Sequence, residues 1–419
     1  MGDILIKGII LSAGVGKRLD KYVPKPLVKM LGKTLISYAY DNLKRTGIDD
    51  ITIISSPYLK LDFNCRVIIQ NNLLGTGDAL KLVKDKGTFI VIPVDTPLIT
   101  SETLKSLIEY HFNHKNDITI LAARNKNPYG YGRILRHPLR IIEENDLKSF
   151  QKNNKLINTG IYIVNDKVLN FTNKIKMNEK KKEYYFTDIF KWLPIKIKKG
   201  IYITKNIDDI RGINTPSNLI ECTNILKKRI NDMHRENQVM INEALIGPDV
   251  IIEAGAKISD DSIIFGKSHI KGNTKIIKSI IENSIINNST IGPFAHIINS
   301  QIDCATIGNF VEVKNSQIDS NTKAKHLSYI GDTHIFNNVN IGAGVIFSNY
   351  DGFKKYRSEV GSYSFIGSNS TIISPVKIGM NCYIGAGSEV NRTINDNMFY
   401  LRRASEKLYM NKKTIENKN

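Results

Sequence analysis

Two hydrophobic patterns divide the chain. Up to about Asn214, short β-branched runs (Gly8–Leu11, Ile51–Ser55, Arg66–Ile69, Thr88–Val94, Asp117–Leu121) alternate with amphipathic stretches (Leu35–Arg45, Ala79–Lys84, Ser101–Phe112). Strands alternating with helices predict an α/β domain, Rossmann-like with a mostly parallel sheet, whose ligands bind at the carboxyl ends of the strands. Ser217 to His234 reads as one connecting helix with Leu219, Cys222, Ile225 and Leu226 on its apolar side. From Ile246 onward the period changes to six: Ile246, Ile252, Ile258, Ile264, Ile270 and Ile276 are in register, and after phase shifts so are Ile330, Ile335, Ile341, then Val360, Ile366, Ile372, Ile378, Ile384 and Val390. That period predicts a parallel β-helix, each short strand pointing one aliphatic residue inward. The repeat lapses between Phe347 and Glu359, where SNYDGFKKYRS forms a polar, aromatic and basic loop. Insertions of this kind lie on one face of a solenoid and often bind ligands. The expected organisation is 1–216, a catalytic α/β domain; 217–236, a linker helix; and 237–419, the hexapeptide coil with a C-terminal tail.

Composition narrows the class. The 419 residues are 41% hydrophobic and 24% charged, so the chain is a folded protein of two or three domains. Lys and Arg total 59 against 40 Asp and Glu, a formal charge of +19 that favours anionic partners. Part of this excess reads as compositional bias, since the chain is rich in Lys, Ile and Asn. Cys65, Cys222, Cys304 and Cys382 form no CxxC pair or zinc spacing and read as plain thiols of a reducing compartment. Ile4 to Leu11 is too short and too interrupted by Lys7 for a targeting segment and reads as a buried first strand. No run approaches a membrane span, so no stable membrane anchor is expected and the cytoplasm is the expected location. No nucleic-acid motif or aromatic-interleaved basic patch occurs.

The candidate chemistry begins directly after the first strand, with Leu11-Ser12-Ala13-Gly14-Val15-Gly16-Lys17-Arg18-Leu19 and then Pro24-Lys25-Pro26-Leu27. Glycines there let backbone N–H groups approach a polyphosphate, and the cations neutralise it. This string resembles the LxAGxGxR and PK signature of sugar-1-phosphate nucleotidyltransferases. Further matches follow in order: Gln70 with Leu74-Gly75-Thr76-Gly77, Asp95 in PVDTPL, Gly132 in YGYGRI, Glu143 in IIEEND, Asn158 in INTGIY, Tyr184 to Asp188 in EYYFTD, and Asn214 in RGINT. Together they resemble the bacterial bifunctional N-acetylglucosamine-1-phosphate uridylyltransferase/glucosamine-1-phosphate N-acetyltransferase family. The resemblance implies that Leu11, Ala13, Gly14, Lys25, Gln70, Gly75 and Thr76 bind UTP. It implies further that Arg18 and Lys25 steady the triphosphate, that Gly132, Glu143, Asn158 and Asn214 hold the sugar phosphate, and that Asp95 and Asn214 ligate Mg2+. Val94 stands where the family has glycine.

The coil carries a second set of strings: Gly308 to Lys314, Lys325 to Asp332, Asn338 to Gly344 and Ser348 to Gly352. These resemble the acetyltransferase half of the same family, a left-handed β-helix that assembles as a homotrimer. By that resemblance His326 is the general base toward the sugar amine and Glu312 orients it. Lys314, Tyr329, Asn349 and Lys355 bind the sugar phosphate, while Asn340, Tyr350, Ser368, Ala386 and Arg403 line the acetyl-CoA site. The basic tail (Arg402, Arg403, Lys407, Lys412, Lys413) either closes over coenzyme A phosphates or is a solvated terminus. One departure bears on function. Ile298 stands where the family has a phosphate-binding arginine, and the segment from there to Gly308 is about two residues short, with His296 or Lys314 as possible substitutes. Two readings follow: a bifunctional enzyme that makes UDP-N-acetylglucosamine, or a monofunctional uridylyltransferase whose coil only trimerises it.

Overall fold

A computed structural model describes residues 6–14, 16 and 18–403. Lys407, Lys412 and Lys413 of the tail, and Val15 and Lys17 of the glycine-rich turn, lie outside the described residues. The chain separates into two compact units between Leu226 and Lys227, within a single helix spanning Pro216–Glu236.

In the first unit the central sheet runs in the order Lys199–Ile203, Ile118–Arg124, Leu156–Asn165, Thr88–Pro93, Ile6–Leu11, Ile51–Ser55, Arg66–Ile69. Every neighbouring pair is parallel except those of Leu156–Asn165, which is antiparallel to both partners. The inner strands are continuous apolar runs because helices cover both faces; Ile51–Ser55 is buried at all five positions. Leu35–Arg45 and Ser101–Asn113 start at Thr34 and Thr100, whose hydroxyls accept the N–H of Ser37 and Thr103, each at 3.3 Å. The helix expected over Ala79–Lys84 instead occupies Thr76–Lys81. Its first turn is the glycine segment itself: Gly75 at φ +96° precedes it, and Gly77 N–H donates to the Tyr184 carbonyl at 2.8 Å. No helix among the described residues is long and apolar enough to cross a membrane.

In the second unit three parallel sheets of ten, nine and eight strands wind as a coil in which each strand pairs with the third one after it, except at the end, where Tyr383–Ile384 pairs with Phe399–Tyr400, the second one after it. The predicted inward residues are buried, from Ile246 and Ile264 to Ile366 and Val390, at or near zero exposure. The phase shifts have a structural cause. Ile276, Ile281, Ile286 and Ile291 are spaced by five residues, as are Ile297, Ile302 and Ile307, so several sides of the coil are one residue shorter than the hexapeptide. At each short side a left-handed corner residue (Lys278, Asn283, Asn288, Asn299, Cys304) is followed by a small buried one. Asparagine tolerates this conformation better than other residues that carry a side chain. The serine after it then acts twice: Ser284 Oγ donates to the Glu282 carbonyl at 2.7 Å and accepts the N–H of Ser300 at 3.0 Å, and Ser300 repeats this with Ile298 and Ser316. Such ladders satisfy backbone groups that the tight corner removes from the sheets. The apparent two-residue deficit between Ile298 and Gly308 is two of these five-residue sides.

Candidate functional site

The first unit carries two clefts at the carboxyl ends of its parallel strands. One encloses about 400 Å³ and is lined by Leu11, Ala13, Gly14, Lys25, Gln70, Gly75, Thr76 and Asp95. The other encloses about 600 Å³ and is lined by Arg18, Asp95, Gly132, Glu143, Asn158 and Asn214, with Tyr162, Thr187 and Asn218. They share Leu11, Thr76, Pro93, Asp95 and Glu143. Every first-domain residue to which the resemblance gives a binding role thus lines one cleft or both.

The local chemistry explains the spacing of the motifs. A Cβ on Gly75 or Gly77 would stand 2.8 or 2.9 Å from the Tyr184 carbonyl oxygen, so the glycine segment lies flat against Tyr184–Phe186. Gln70 is 3% exposed and donates through Nε2 to the Gly75 carbonyl at 3.1 Å and to Asp78 at 2.8 Å. With both donors engaged, what it offers a ligand is its carbonyl oxygen. At the junction of the clefts the Lys25 ammonium, on a residue 8% exposed, donates to Asp95 Oδ2 at 2.5 Å and Asn214 Oδ1 at 2.8 Å. Two hard oxygen donors from distant segments therefore converge on one cationic point, a donor set that fits a divalent cation whose remaining ligands are phosphate and water. No cluster of three or more His, Cys, Asp or Glu side chains poised for a metal occurs among the described residues.

In the second cleft a Cβ on Gly132 would lie 3.4 Å from Glu143 Oε2, which brings those two predicted residues into contact. Burial pushes the Glu143 carboxyl above its ordinary pKa, against the opposing effect of a hydrogen bond from the Thr187 hydroxyl at 2.7 Å. Asn158 Nδ2 donates to the Tyr162 hydroxyl at 2.7 Å. Sequence reasoning assigned no role to Thr187, Tyr162 or Asn218, although EYYFTD and INTGIY contain the first two. It also passed over Arg133, whose side chain is 2% exposed and which bonds Glu144 at 2.8 Å, the Tyr131 carbonyl and the Lys152 carbonyl. Its position beside Gly132 in YGYGRI was the available signal.

In the second unit His326 is exposed and stacks on Asn309 of the preceding coil. Ala343, Ser368 and Ala386 occupy the same position in the following coils, as the bonds Gly344 N to His326 O, Asn369 N to Ala343 O and Gly387 N to Ser368 O show. At about 4.8 Å per coil, this floor of small side chains runs roughly 14 Å from His326. Arg403 closes it, its Nε donating to the Ala386 carbonyl at 2.9 Å. Tyr329, Asn349 and Lys314 cluster on the adjoining face. Asn349 is 5% exposed and donates to Asp332. Burial raises the Tyr329 pKa, and the hydrogen bond from Asn349 opposes it. Tyr350 and Lys355 pair across the base of the inserted loop, inside which Asp351 accepts the N–H groups of Phe353 and Lys354 and the Tyr356 hydroxyl, each at 2.8 Å. Asn340 is half-buried on the strand face beside Lys323.

The expected orientation of His326 by Glu312 is not found. Glu312 lies beyond the corner on the next sheet, level with Tyr329 and His296, and no hydrogen bond joins it to His326 among the described residues. Ile298 is half-buried and sits one coil before Lys314 in the same column. A feature the sequence did not reveal lies at the corner beside His326: Phe294, Phe310 and Leu327 all have positive φ (60°, 57°, 50°) yet are 52–61% exposed, with the two rings stacked at 5.3 Å. Left-handed backbone is unfavourable for bulky residues, so this apolar ridge is held at some cost.

A nucleotidyltransferase fold with two joined clefts, followed by a hexapeptide coil that exposes His326 at the head of a small-residue column, defines a two-headed transferase. Comparison with known proteins agrees: residues 8–158 match the MobA-like NTP transferase domain family and residues 357–392 the bacterial transferase hexapeptide family. The bifunctional protein GlmU of Clostridioides difficile is 37% identical over 99% of this chain and 98% of its own length. Those of Streptococcus thermophilus and Thermosipho africanus are 37% and 36% identical, over 93% and 96% of this chain and 92% and 95% of their own. The chain belongs to the bifunctional GlmU family, and full-length similarity to proteins so named favours two activities over a coil that only trimerises.

Proposed function

We propose that the enzyme makes UDP-N-acetylglucosamine, a precursor of bacterial peptidoglycan, by acetylating glucosamine-1-phosphate and then uridylylating the product. Residues 1–216 carry the uridylyl transfer, 217–236 link the halves and 237–419 carry the acetyl transfer. The observation that bears most weight is the meeting of two clefts at Asp95, Lys25 and Asn214, because one substrate's phosphate must attack another's at a point shared by both sites.

In the first half, the Gln70 carbonyl accepts from the uracil ring and Gly14 and Ala13 give the triphosphate a close backbone approach. Gly132, Glu143 and Asn158 hold the amino sugar. A phosphate oxygen of N-acetylglucosamine-1-phosphate attacks the α-phosphorus of UTP; the α–β bond breaks and pyrophosphate leaves. Both reactants are anions, so positioning and charge neutralisation dominate, and Arg18 and Lys25 supply the protein's share. Asp95 and Asn214 would hold Mg2+, which would add further charge neutralisation when bound. In the second half the amine nitrogen of glucosamine-1-phosphate attacks the thioester carbonyl of acetyl-CoA. His326 takes the amine proton and the thiol of coenzyme A leaves. The small-residue column gives the narrow pantetheine arm a smooth floor, with Arg403 at its end for phosphate. Lys314, Tyr329, Asn349 and Lys355 hold the sugar phosphate, and Tyr350 and Asn340 border the acetyl group's approach.

The enzyme works as a homotrimer in the cytoplasm. The exposed ridge of Phe294, Phe310 and Leu327 beside His326 is surface that a neighbouring copy covers, and four free cysteines suit a reducing compartment. One preparation tests both halves. Pyrophosphate should appear from UTP, Mg2+ and N-acetylglucosamine-1-phosphate, and free thiol from acetyl-CoA and glucosamine-1-phosphate. His326→Ala should abolish thiol release and spare pyrophosphate release; an unchanged thiol rate removes His326 from its role.

A further inference from the structure

We infer that Lys25 occupies the metal position in the nucleotide-free enzyme, so that divalent cation enters only together with the triphosphate. This rests on the assignment of Asp95 and Asn214 as the metal-holding pair.

The geometry is specific. Lys25, Asp95 and Asn214 come from three segments separated by 70 and 119 positions in sequence, yet one ammonium donates to the carboxylate at 2.5 Å and to the amide oxygen at 2.8 Å. The side chains of Lys25 and Asp95 are 10% and 23% exposed, so water screens the pair weakly. A cation placed between Asp95 and Asn214 would meet the ammonium at the same oxygens. Two cations cannot share so small a space, and the bound ammonium therefore competes with free metal. A triphosphate changes the balance because it brings new oxygens for both. The ammonium exchanges Asp95 and Asn214 for a phosphate oxygen, and the freed carboxylate and amide complete the coordination of the metal that accompanies the nucleotide. Lys25 then does two things in turn: it keeps Asp95 paired in the resting enzyme and neutralises phosphate in the working one. The neighbouring backbone fixes the resting position, since Lys25 begins a short turn over Lys25–Leu27 and packs beneath Gly16.

A site that is competent for metal only in the fraction of molecules whose lysine is displaced shows an apparent dissociation constant raised by the inverse of that fraction. If the ammonium is in place nine-tenths of the time or more, removing it tightens free-metal binding by about tenfold or more. The measurement is the electron paramagnetic resonance signal of free Mn2+ during titration into the full-length enzyme, with and without UTP. The wild-type protein should bind Mn2+ weakly alone and strongly with UTP. Lys25→Met and Lys25→Gln should each bind Mn2+ at least about tenfold more tightly than wild type without nucleotide, and Asp95→Asn should lose binding in both conditions. Unchanged or weaker nucleotide-free binding in both Lys25 variants, with Asp95-dependent binding in the presence of UTP intact, overturns the competition alone. If Asp95→Asn leaves Mn2+ binding with UTP unaffected, the metal assignment falls and the competition with it. Circular dichroism of each variant confirms that a change in binding reflects the site and not the fold.

Discussion

Arg133→Met is the most informative perturbation of the sugar cleft. The guanidinium ties together three segments: the Tyr131 carbonyl before Gly132, Glu144 after Glu143, and the Lys152 carbonyl. Methionine fills similar space and makes none of these bonds. Breaking a buried ion pair by removing one partner costs about 3–5 kcal/mol. The lower end applies here, because the Glu144 side chain is 23% exposed and regains water, and because Arg133 Nε already lacks a partner. At roughly 2–4 °C per kcal/mol for a unit of this size, a loss of about 3 kcal/mol lowers its melting temperature by about 6–12 °C. Catalysis should change selectively. The KM for N-acetylglucosamine-1-phosphate should rise several-fold, because Gly132 and Glu143 lose their mutual support, while the KM for UTP stays near wild type, because Gln70 and the glycine-rich turn are untouched. Arg133→Lys keeps the charge but one donor group, and should recover about half of the stability. A fall of under about 2 °C, or equal changes in the two KM values, would refute the argument.

Three further outcomes follow from other parts of the molecule. Ile298→Arg adds a cation one coil before Lys314, and a charged hydrogen bond to the sugar phosphate worth about 1.5–3 kcal/mol should lower the KM for glucosamine-1-phosphate by roughly 10- to 150-fold; initial-rate kinetics of thiol release measure it. Burial raises the Glu143 pKa, so the folded state holds that proton more tightly than the unfolded chain, and stability falls as pH rises from the ordinary carboxylate value through the raised one. Glu143→Gln should therefore raise the melting temperature at pH 7 while raising the sugar-phosphate KM at least about tenfold. Ser300→Ala strips the acceptor from Ser316 N–H and should destabilise the coil by about 1–3 kcal/mol in urea, without changing the slope of the transition.

The fold was legible wherever one face of an element decides its fate. Buried parallel strands such as Ile51–Ser55 must be apolar throughout, and each coil side must send one aliphatic residue inward, so both patterns survive in the sequence. Changes of period are harder to recognise. A five-residue side looks like a slip in a six-residue repeat, and the asparagines that make it possible look like compositional bias. In the structure Asn283, Asn288, Asn299, Asn315, Asn321 and Asn338 all take left-handed corners, so part of the chain's asparagine content is structural. The antiparallel strand Leu156–Asn165 was equally hidden, since an apolar run carries no sign of its direction.

The sites show a different limit. Residues that touch the clefts were found because they lie in long motif strings after strands, where chemistry concentrates. Residues that act on them were missed because their partners are distant: Arg133 looks like a surface cation until Glu144 and two carbonyls surround it, and Thr187 is one of several hydroxyls until it bonds Glu143. Conversely, Glu312 and His326 are 14 residues apart, close to one turn of the coil, which makes a partnership attractive on paper. The coil instead carries Glu312 past a corner, one level away, to stand between His296 and Tyr329. No side-chain hydrogen bond holds the imidazole ring of His326 among the described residues, so under the proposed trimer its orientation would come from substrate or from the copy proposed to cover the Phe294–Phe310–Leu327 ridge. On that argument His326 is poorly oriented in an isolated chain, and a monomer forced by charged substitutions along the ridge should lose acetyl transfer while keeping uridylyl transfer.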